Sequence, residues 1–392
     1  MACAGLFTLI DLFGPQAISP VLAARFHATA SETSFGVNAA SLGMAVSGFL
    51  AACFADRLDR RRAIIGCLLA LAATTILLAS SDDLWGFATL RAAQGLCMGA
   101  AFAVSVAYVA EEWGPLGKAS TVMAAYVTGN IIGQMLGRIL AGAIVELAGW
   151  REVFFAFGAL NLIGGLALWR ALPAGRRQNS ALAASADIRE RLRMHLSDCR
   201  LQGAFAVGFL ILAVFASEFT YVNFRLEAAP FNVAPSELGL LYGVFCAAII
   251  STPLAGPMIR RIGHPAALTF GAIVSLSGAL LTLSGSLAIV IIGMALVACG
   301  LFFSQAVATA FTGYAAQAFK ATASGLYMAA YYTGGICGTT LLGLIFEHGG
   351  WHWMTMTIIG LLILMAGIAR LRWRHAVRDS RIADIVSPGY VP

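Results

Sequence analysis

Residues 123–133 read MAAYVTGNIIG, and residues 328–338 read MAAYYTGGICG. The two stretches are identical at eight of eleven positions and lie 205 residues apart. Each belongs to a long apolar segment and precedes a Gly-Trp pair, Gly149-Trp150 or Gly350-Trp351. A helix that recurs at about half the chain length predicts two similar halves related by a pseudo-two-fold axis. In membrane proteins, halves of this kind usually enclose a path for a solute.

Composition places both halves in a lipid bilayer. The chain has 392 residues, of which 59% are hydrophobic and 11% are charged, and its mean hydropathy is +0.83. Soluble domains carry about 25% charged residues, so this chain cannot face water over its whole surface. The net charge of +6 arises largely in loops beside the membrane and indicates no nucleic-acid partner.

Twelve apolar segments are long enough for membrane-spanning helices, which need about 20 residues each. They are approximately 3–24, 35–55, 63–80, 84–108, 119–144, 152–172, 203–226, 237–258, 266–283, 287–310, 323–346 and 352–371. The sequence therefore predicts an all-α membrane protein with twelve transmembrane helices in two pseudo-symmetric six-helix bundles. The predicted units are an N-terminal bundle (1–172), a cytoplasmic linker with an amphipathic helix (173–202), a C-terminal bundle (203–372) and a cytoplasmic tail (373–392).

Basic residues predict the orientation of these spans. Loops on one side of the predicted membrane, together with the tail, hold 20 of the 25 lysine and arginine residues. The opposite side holds only Arg25, Arg151 and Arg225. Because loops rich in lysine and arginine remain in the cytoplasm, both termini and the linker are expected there.

Two motifs carry a family resemblance. The loop after the second span reads Ala52-x-x-x-Asp56-Arg57-x-Asp59-Arg60-Arg61. It resembles the G-x-x-x-D-R-x-G-R-R/K signature of the major facilitator superfamily, with alanine and aspartate at the two glycine positions. The fourth span contains Arg91-Ala-Ala-Gln94-Gly95, which is similar to the R-x-x-Q-G signature of that family. The resemblance covers nearly the whole chain and is closest to twelve-helix bacterial drug or sugar efflux permeases.

This resemblance implies a monomeric carrier in the bacterial inner membrane that moves a small-molecule substrate by alternating access, with no cofactor. It also implies a cytoplasmic gate in which Asp56, beside Arg57, Arg60 and Arg61, meets the start of the eleventh helix at 322–324. A carboxylate beside a helix N-terminus gains about 0.3–1 kcal/mol. The alternative is that these arginines only determine topology.

Two acids lie inside predicted spans at nearly equivalent positions of the two halves. Asp11 and Glu218 are 207 residues apart, which is within two residues of the repeat offset. Ionisable groups within the membrane are costly and usually functional, so at least one of them is a candidate proton carrier. The alternative is that both acids are structural partners of Arg138 and Arg91.

Other polar side chains in the spans are candidates for substrate contacts. They are Arg91, Gln94, Arg138, Tyr126, Tyr221, Asn223 and Tyr331. The glycines at 129, 133 and 137 of the fifth span are explained by close helix packing. This span also lacks the Gly-Pro pair of the family's antiporter signature. The histidines and cysteines show no metal-ligand spacing, so no metal site is predicted.

The predicted function is proton-coupled export of a small, largely apolar organic solute. A second possibility is import or facilitated diffusion of a sugar or an organic anion, with Arg91 or Arg138 holding a carboxylate. A sensor or an intramembrane enzyme is a remote alternative, because the sequence contains no G-x-S-x-G or zinc motif. The segment at 114–118 fails as a nucleotide-binding loop, since Ala119 stands where that motif requires serine or threonine.

Overall fold

The computed structural model describes residues 1–54, 59–113, 119–172, 188–316 and 319–373. Ten helices in these residues are long and apolar enough to cross a membrane, and a bent pair near the N-terminus adds an eleventh span. The last and longest helix, Lys320–Arg372, has non-helical backbone at Gly350, where φ is 68°. This break divides it into two spans, so the described chain contains the twelve predicted spans and the all-helical fold is confirmed.

The first six spans form one half and the last six form the other. Spans 1 to 6 are Ala2–Ala17 with Ser19–Phe26, Ala30–Phe54, Arg60–Leu78, Leu84–Trp113, Ala119–Leu147 and Trp150–Ala171. Span 7 is Cys199–Glu227, and span 8 consists of Pro235–Leu241, Phe245–Ser251 and Ala255–Ile262 joined by two 3-10 turns. Spans 9 and 10 are His264–Leu281 and Leu287–Ala315, and spans 11 and 12 are the two parts of Lys320–Arg372.

Two prolines shape span 1. Its two helical parts meet at an angle of 63°. Pro15 and Pro20 have no backbone N–H, so the carbonyls four residues earlier, at Asp11 and Gln16, lose their usual helical donors. These carbonyls are therefore available to side chains from other spans.

Glycines bring span 5 close to span 1 and span 11 close to span 7. A Cβ atom at Gly129 would overlap the carbonyl oxygen of Ala2, and one at Gly334 would overlap that of Phe209. The second contact is the repeat counterpart of the first, since residues 129 and 334 are equivalent in the duplicated stretch. Small residues at such positions allow helix backbones in membranes to approach closely.

The Gly334→Ala variant tests this packing. We expect it to lose about 1–3 kcal/mol of stability, because the added methyl group forces the backbones of spans 7 and 11 apart. The measurement is the melting temperature of the purified protein in detergent. The matched control is Gly360→Ala, where an added Cβ meets no atom within 4 Å. Equal melting temperatures of the two variants would contradict the packing argument.

The predicted linker contains a short helix, Ile188–Ser197, which lies beside the starts of spans 7 and 11. The Arg191 guanidinium stacks over the Phe319 ring at 4.7 Å. Asp198 caps span 7 by accepting a 2.8 Å hydrogen bond from the Arg200 backbone N–H. Partial burial acts to raise the pKa of Asp198, but hydrogen bonds from Arg200 outweigh burial and lower this pKa. We refer to this end of the molecule as the linker side and to the other end as the far side.

The two halves contact each other mainly through spans 2 and 11 and through spans 5 and 8. On the far side, the backbone N–H of Ser31 donates to the Glu347 carboxylate at 2.7 Å. Towards the linker side, a Cβ at Gly48 would lie 3.3 Å from the Cβ of Met328. Spans 2 and 11 are therefore in contact on both sides of the membrane midplane.

Candidate functional site

Asp11 lies inside the N-terminal half, on the side of span 1 that faces spans 3, 4 and 6. Its side chain is 1% exposed. The carboxylate oxygen Oδ2 accepts hydrogen bonds from Thr75 and Asn161 at 2.7 Å each, and from Gln94 Nε2 at 3.2 Å. The Asn161 and Gln94 amides stabilise a negative charge on this buried carboxylate. The single Thr75 hydroxyl proton is shared with the Leu71 carbonyl, also at 2.7 Å. Asp11 therefore connects four helices of one half.

Arg91 completes this cluster through backbone carbonyls. Its Nε donates to the Val37 carbonyl at 3.0 Å, and its Nη2 donates to the Leu12 carbonyl at 2.6 Å. Its Nη1 donates to the Gln94 side chain and to the Asp11 carbonyl, at 2.5 and 3.1 Å. That last carbonyl is the one whose helical donor is missing because of Pro15. The guanidinium of Arg91 is thus occupied within the N-terminal half.

Glu218 occupies the equivalent place in span 7 but has a different environment. Its side chain is fully buried, and neither carboxyl oxygen has a hydrogen-bond partner among the described residues. Thr282 and Arg225 lie close enough to interact with the Glu218 carboxyl group. However, the Thr282 hydroxyl donates to the Ala279 carbonyl at 2.7 Å, and Arg225 Nη2 donates to the Ser284 carbonyl at 2.8 Å.

The environments of the two acids differ because only the N-terminal half contains the side chains that stabilise a buried carboxylate. The pairs Asp11–Thr75 and Glu218–Thr282 have the same offset of 207 residues. In contrast, residues 287–304 of span 10 contain no arginine, lysine, glutamine or asparagine that would correspond to Arg91 and Gln94. The second half therefore holds a buried carboxyl group without the donors that its counterpart has.

Arg138 lies at the interface between the halves. Its Nη2 donates to Gln16 Oε1 at 2.7 Å, and its Nη1 donates to the Gln134 carbonyl at 3.2 Å. The guanidinium carbon lies 4.6–4.9 Å from the ring centroids of Phe13, Tyr242 and Phe245. Among the described residues, its Nε has no hydrogen-bond partner and no carboxylate forms an ion pair with the guanidinium. Ring faces stabilise a cation by about 0.5–2 kcal/mol each, whereas a buried guanidinium without an acid costs several kcal/mol.

Hydrogen bonds connect the halves beside Arg138. Gln16 Nε2 donates to Asn38 Oδ1 at 3.0 Å, and Asn38 Nδ2 donates to the Thr220 hydroxyl at 3.3 Å. Asn223 Nδ2 donates to the Gln16 carbonyl at 2.7 Å and to the Tyr242 hydroxyl at 2.8 Å. That carbonyl is the one freed by Pro20. We call this set the interhalf network, and its members are Gln16, Asn38, Arg138, Thr220, Asn223 and Tyr242.

The three tyrosines that were predicted to contact substrate, Tyr126, Tyr221 and Tyr331, lie outside both the Asp11 cluster and the interhalf network. Tyr126 is buried against Phe102, with ring centroids 5.7 Å apart, and Tyr331 lies 5.2 Å from the Tyr332 ring. Tyr221 instead donates to the Thr339 carbonyl of span 11 at 2.7 Å. Of the predicted substrate contacts, the structure thus brings Arg138 and Asn223 together, while Arg91 and Gln94 lie in the Asp11 cluster.

The predicted gate is only partly described. Asp56 and Arg57 lie outside the described residues, so their expected contact with span 11 stays a prediction. Arg60 is buried at the start of span 3, and Arg61 Nη2 donates to the Trp169 carbonyl at 2.5 Å. Arg61 therefore contacts span 6 of its own half. Asp59 caps span 3 by accepting a 3.1 Å bond from the Arg62 N–H.

The sequence analysis missed Gln16, Asn38 and Tyr242. All three are polar residues within apolar spans, which is the signal that would have identified them, and the structure buries all three. The aromatic residues Phe215 and Phe245 carried no such signal, because a phenylalanine in a span also faces lipid or the core. Their place around Arg138 depends on the relative position of the two halves.

Known proteins resemble the chain over nearly its whole length. A family model described as Major Facilitator Superfamily matches residues 1–229 and 226–387. The inner membrane transport protein YnfM of Escherichia coli (strain K12) is 33% identical over 95% of this chain and 90% of its own. The MFS-type transporter YybF of Bacillus subtilis (strain 168) is 28% identical over 97% of this chain and 93% of its own.

A solved structure agrees with the fold. The crystal structure of the nucleoside transporter NupG (D323A mutant) superposes with a TM-score of 0.75, covering 95% of this chain and 98% of that chain, at 15% identity. At this identity the match concerns the fold alone. The family model and the transporters of similar sequence identify a membrane transporter of small solutes and not an enzyme. The chain belongs to the Major Facilitator Superfamily.

Proposed function

We propose that this protein is a proton-coupled secondary transporter that exports a small organic solute across the bacterial inner membrane, with both termini in the cytoplasm and the monomer as the working unit. Glu218 carries the proton. One proton that moves down about 100 mV releases about 2.3 kcal/mol, which sustains a solute gradient of nearly fiftyfold. Export would follow when the two halves alternate between the two sides of the membrane.

The environment of Glu218 carries this proposal. A fully buried carboxylate without hydrogen-bond donors is several kcal/mol less stable than the neutral acid. The carboxyl group is therefore protonated in the present conformation. A movement that opens the second half to water would hydrate the carboxyl group and release the proton. Proton release is thus coupled to the conformational change, which a proton-driven carrier requires.

Asp11 is less suited to carry the proton. Its Oδ2 atom accepts hydrogen bonds from two side-chain amides and shares the Thr75 hydroxyl proton with a carbonyl, and the Arg91 guanidinium lies close enough to stabilise the negative charge. Protonation would weaken all of these interactions. We therefore assign Asp11 to the structure of the N-terminal half and Glu218 to proton movement.

A second candidate function is the import or facilitated diffusion of an organic anion. The observation that favours it is Arg138, a buried cation at the interface with no described acid beside it. Direction and substrate charge are separate properties, so an anionic substrate is compatible with export as well.

The Glu218→Gln variant tests proton coupling in proteoliposomes with an imposed pH gradient. We expect solute-dependent proton flux to fall at least tenfold, because the amide cannot release a proton. Solute exchange without a gradient should persist, since glutamine is uncharged and has nearly the same shape as the protonated acid. The readout is an internal pH-sensitive dye across a panel of small organic compounds.

Two further variants complete this experiment. Glu227→Gln, at the exposed end of the same helix, is the matched control and should retain full flux. Glu218→Asp keeps a titratable group and should retain most of the coupling. Wild-type proton flux in Glu218→Gln would remove Glu218 as the carrier.

A further inference from the structure

We propose that the transported solute is an organic anion with an aromatic body, whose carboxylate binds the Arg138 guanidinium while its ring lies among Phe13, Phe215, Tyr242 and Phe245. This inference rests on the proposed transport function and names the substrate class of that carrier. Three features of the molecule support it: the site lies between the two halves, Arg138 has N–H groups that bind no other described residue, and Gln16 connects this arginine to both halves.

The position of the site is suited to a transported solute. Phe13 lies near the middle of span 1, Phe215 near the middle of span 7, and Phe245 within span 8. Arg138 comes from span 5, so the site draws on both halves of the chain. A solute that touches both halves responds to their relative movement, whereas a site within one half does not.

Arg138 has binding capacity that Arg91 lacks. Arg91 directs its Nε and both terminal nitrogens to three backbone carbonyls and one side-chain amide. Arg138 makes one hydrogen bond to a side chain of another helix and one to a carbonyl of its own helix, and its buried Nε has no hydrogen-bond partner in the part of the chain that the structure describes. A planar guanidinium with free N–H groups matches a carboxylate with two parallel hydrogen bonds.

The rings around Arg138 fit an aromatic body. The Phe13 and Phe215 centroids are 5.6 Å apart with an interplanar angle of 64°, and Phe215 and Phe302 are 5.2 Å apart at 71°. These edge-to-face contacts continue to Phe245, which lies 5.5 Å from Phe302. These rings are buried in the present conformation, and a ligand ring that enters when the halves move apart would make the same edge-to-face contacts with them. The same rings offer few hydrogen-bonding groups to a sugar.

Binding at Arg138 would also act on the contact between the halves. The Gln16 side chain gives its Oε1 to Arg138 and its Nε2 to Asn38, and its backbone carbonyl binds Asn223 of the other half. A carboxylate that replaces Gln16 Oε1 on the guanidinium frees this side chain to move. Because Asn38 in turn binds Thr220 of the other half, the substrate loosens the interhalf network on arrival.

The test is a comparison of isosteric probes on the purified full-length protein in detergent. Binding of radiolabelled benzoate, 4-hydroxybenzoate and 1-naphthoate is measured directly, with benzamide and benzylamine as neutral and cationic competitors. We expect at least one carboxylate to bind. Unlabelled carboxylate should displace it at concentrations at least tenfold lower than those at which the neutral or the cationic probe does. Arg138→Met should weaken carboxylate binding at least tenfold, and Arg138→Lys, which keeps the charge without the planar fork, should weaken it less.

Controls separate recognition from folding and from proton coupling. Arg151→Gln removes a half-exposed arginine beside Asp82 and should leave binding unchanged. Because Glu218 does not contact the proposed ligand, Glu218→Gln should still bind the carboxylate, so a failure of proton coupling leaves this test intact. If no carboxylate binds, or if Arg138→Met folds and binds as tightly as the wild type, the inference is overturned. Preferential binding of benzylamine or benzamide would overturn it as well.

Discussion

Replacement of Arg91 by methionine is expected to cost about 3–5 kcal/mol of stability, which makes it one of the two largest effects in this protein. The substitution removes one donor from the carbonyls of Val37 and Leu12. It leaves the Asp11 carbonyl, which has no helical donor because of Pro15, without any. It also removes the cation beside the Asp11 carboxylate. Buried groups that lose a partner carry their full desolvation penalty, so methionine, although similar in volume, cannot compensate.

The measurement is the melting temperature in detergent, with the yield of monodisperse protein as a second readout. Arg151→Met, which removes an arginine at the surface, is the matched control and should change little. The double variant Asp11→Asn/Arg91→Met should recover part of the loss, because the amide carries no charge that needs a counterion. If Arg91→Met melts like the wild type, the guanidinium is not a structural connection, and the prediction that Arg91 contacts the substrate regains support.

Much of the fold could be predicted because the bilayer restricts the chain to few solutions. Apolar length gives the spans, since backbone groups in lipid must be paired within a helix. The duplicated stretch gives the halves, because its glycines recur at equivalent contacts, such as Gly129 on Ala2 and Gly334 on Phe209. The role of the bend in span 1 was less accessible, because the position of Pro15 in the sequence does not show that the Asp11 carbonyl accepts a hydrogen bond from Arg91.

The candidate site could be predicted only in part. Asp11, Glu218 and Arg138 stand out in the sequence, because ionisable residues are rare in membrane spans. Their partners did not follow, since hydrogen bonds between residues such as Gln16 and Asn223 depend on how the halves meet. The equal offset of Asp11 and Glu218 predicted similar positions in the two halves. It did not show that the hydrogen-bond donors around the two carboxyl groups differ.

A disulfide between spans 2 and 11 is expected to reduce transport more than a hundredfold. The Cβ of a residue at position 48 would lie 3.3 Å from that of Met328, close to the separation of about 3.5–4.5 Å found in disulfides. Gly48→Cys/Met328→Cys, made in a background with the eight native cysteines replaced by serine, should therefore cross-link on oxidation. Alternating access requires these spans to separate on the linker side, and a covalent bond prevents that movement.

The readout is solute exchange in proteoliposomes before oxidation, after oxidation and after reduction. Leu68→Cys/Gly165→Cys is the matched control, because its Cβ atoms would be 3.6 Å apart but both belong to the N-terminal half. This second disulfide joins helices that move together and should leave exchange largely intact. The single-cysteine variants should be insensitive to oxidant. A fully cross-linked 48–328 pair that still transports would mean that spans 2 and 11 stay in contact throughout the cycle, so that access to the linker side would have to open elsewhere between the halves.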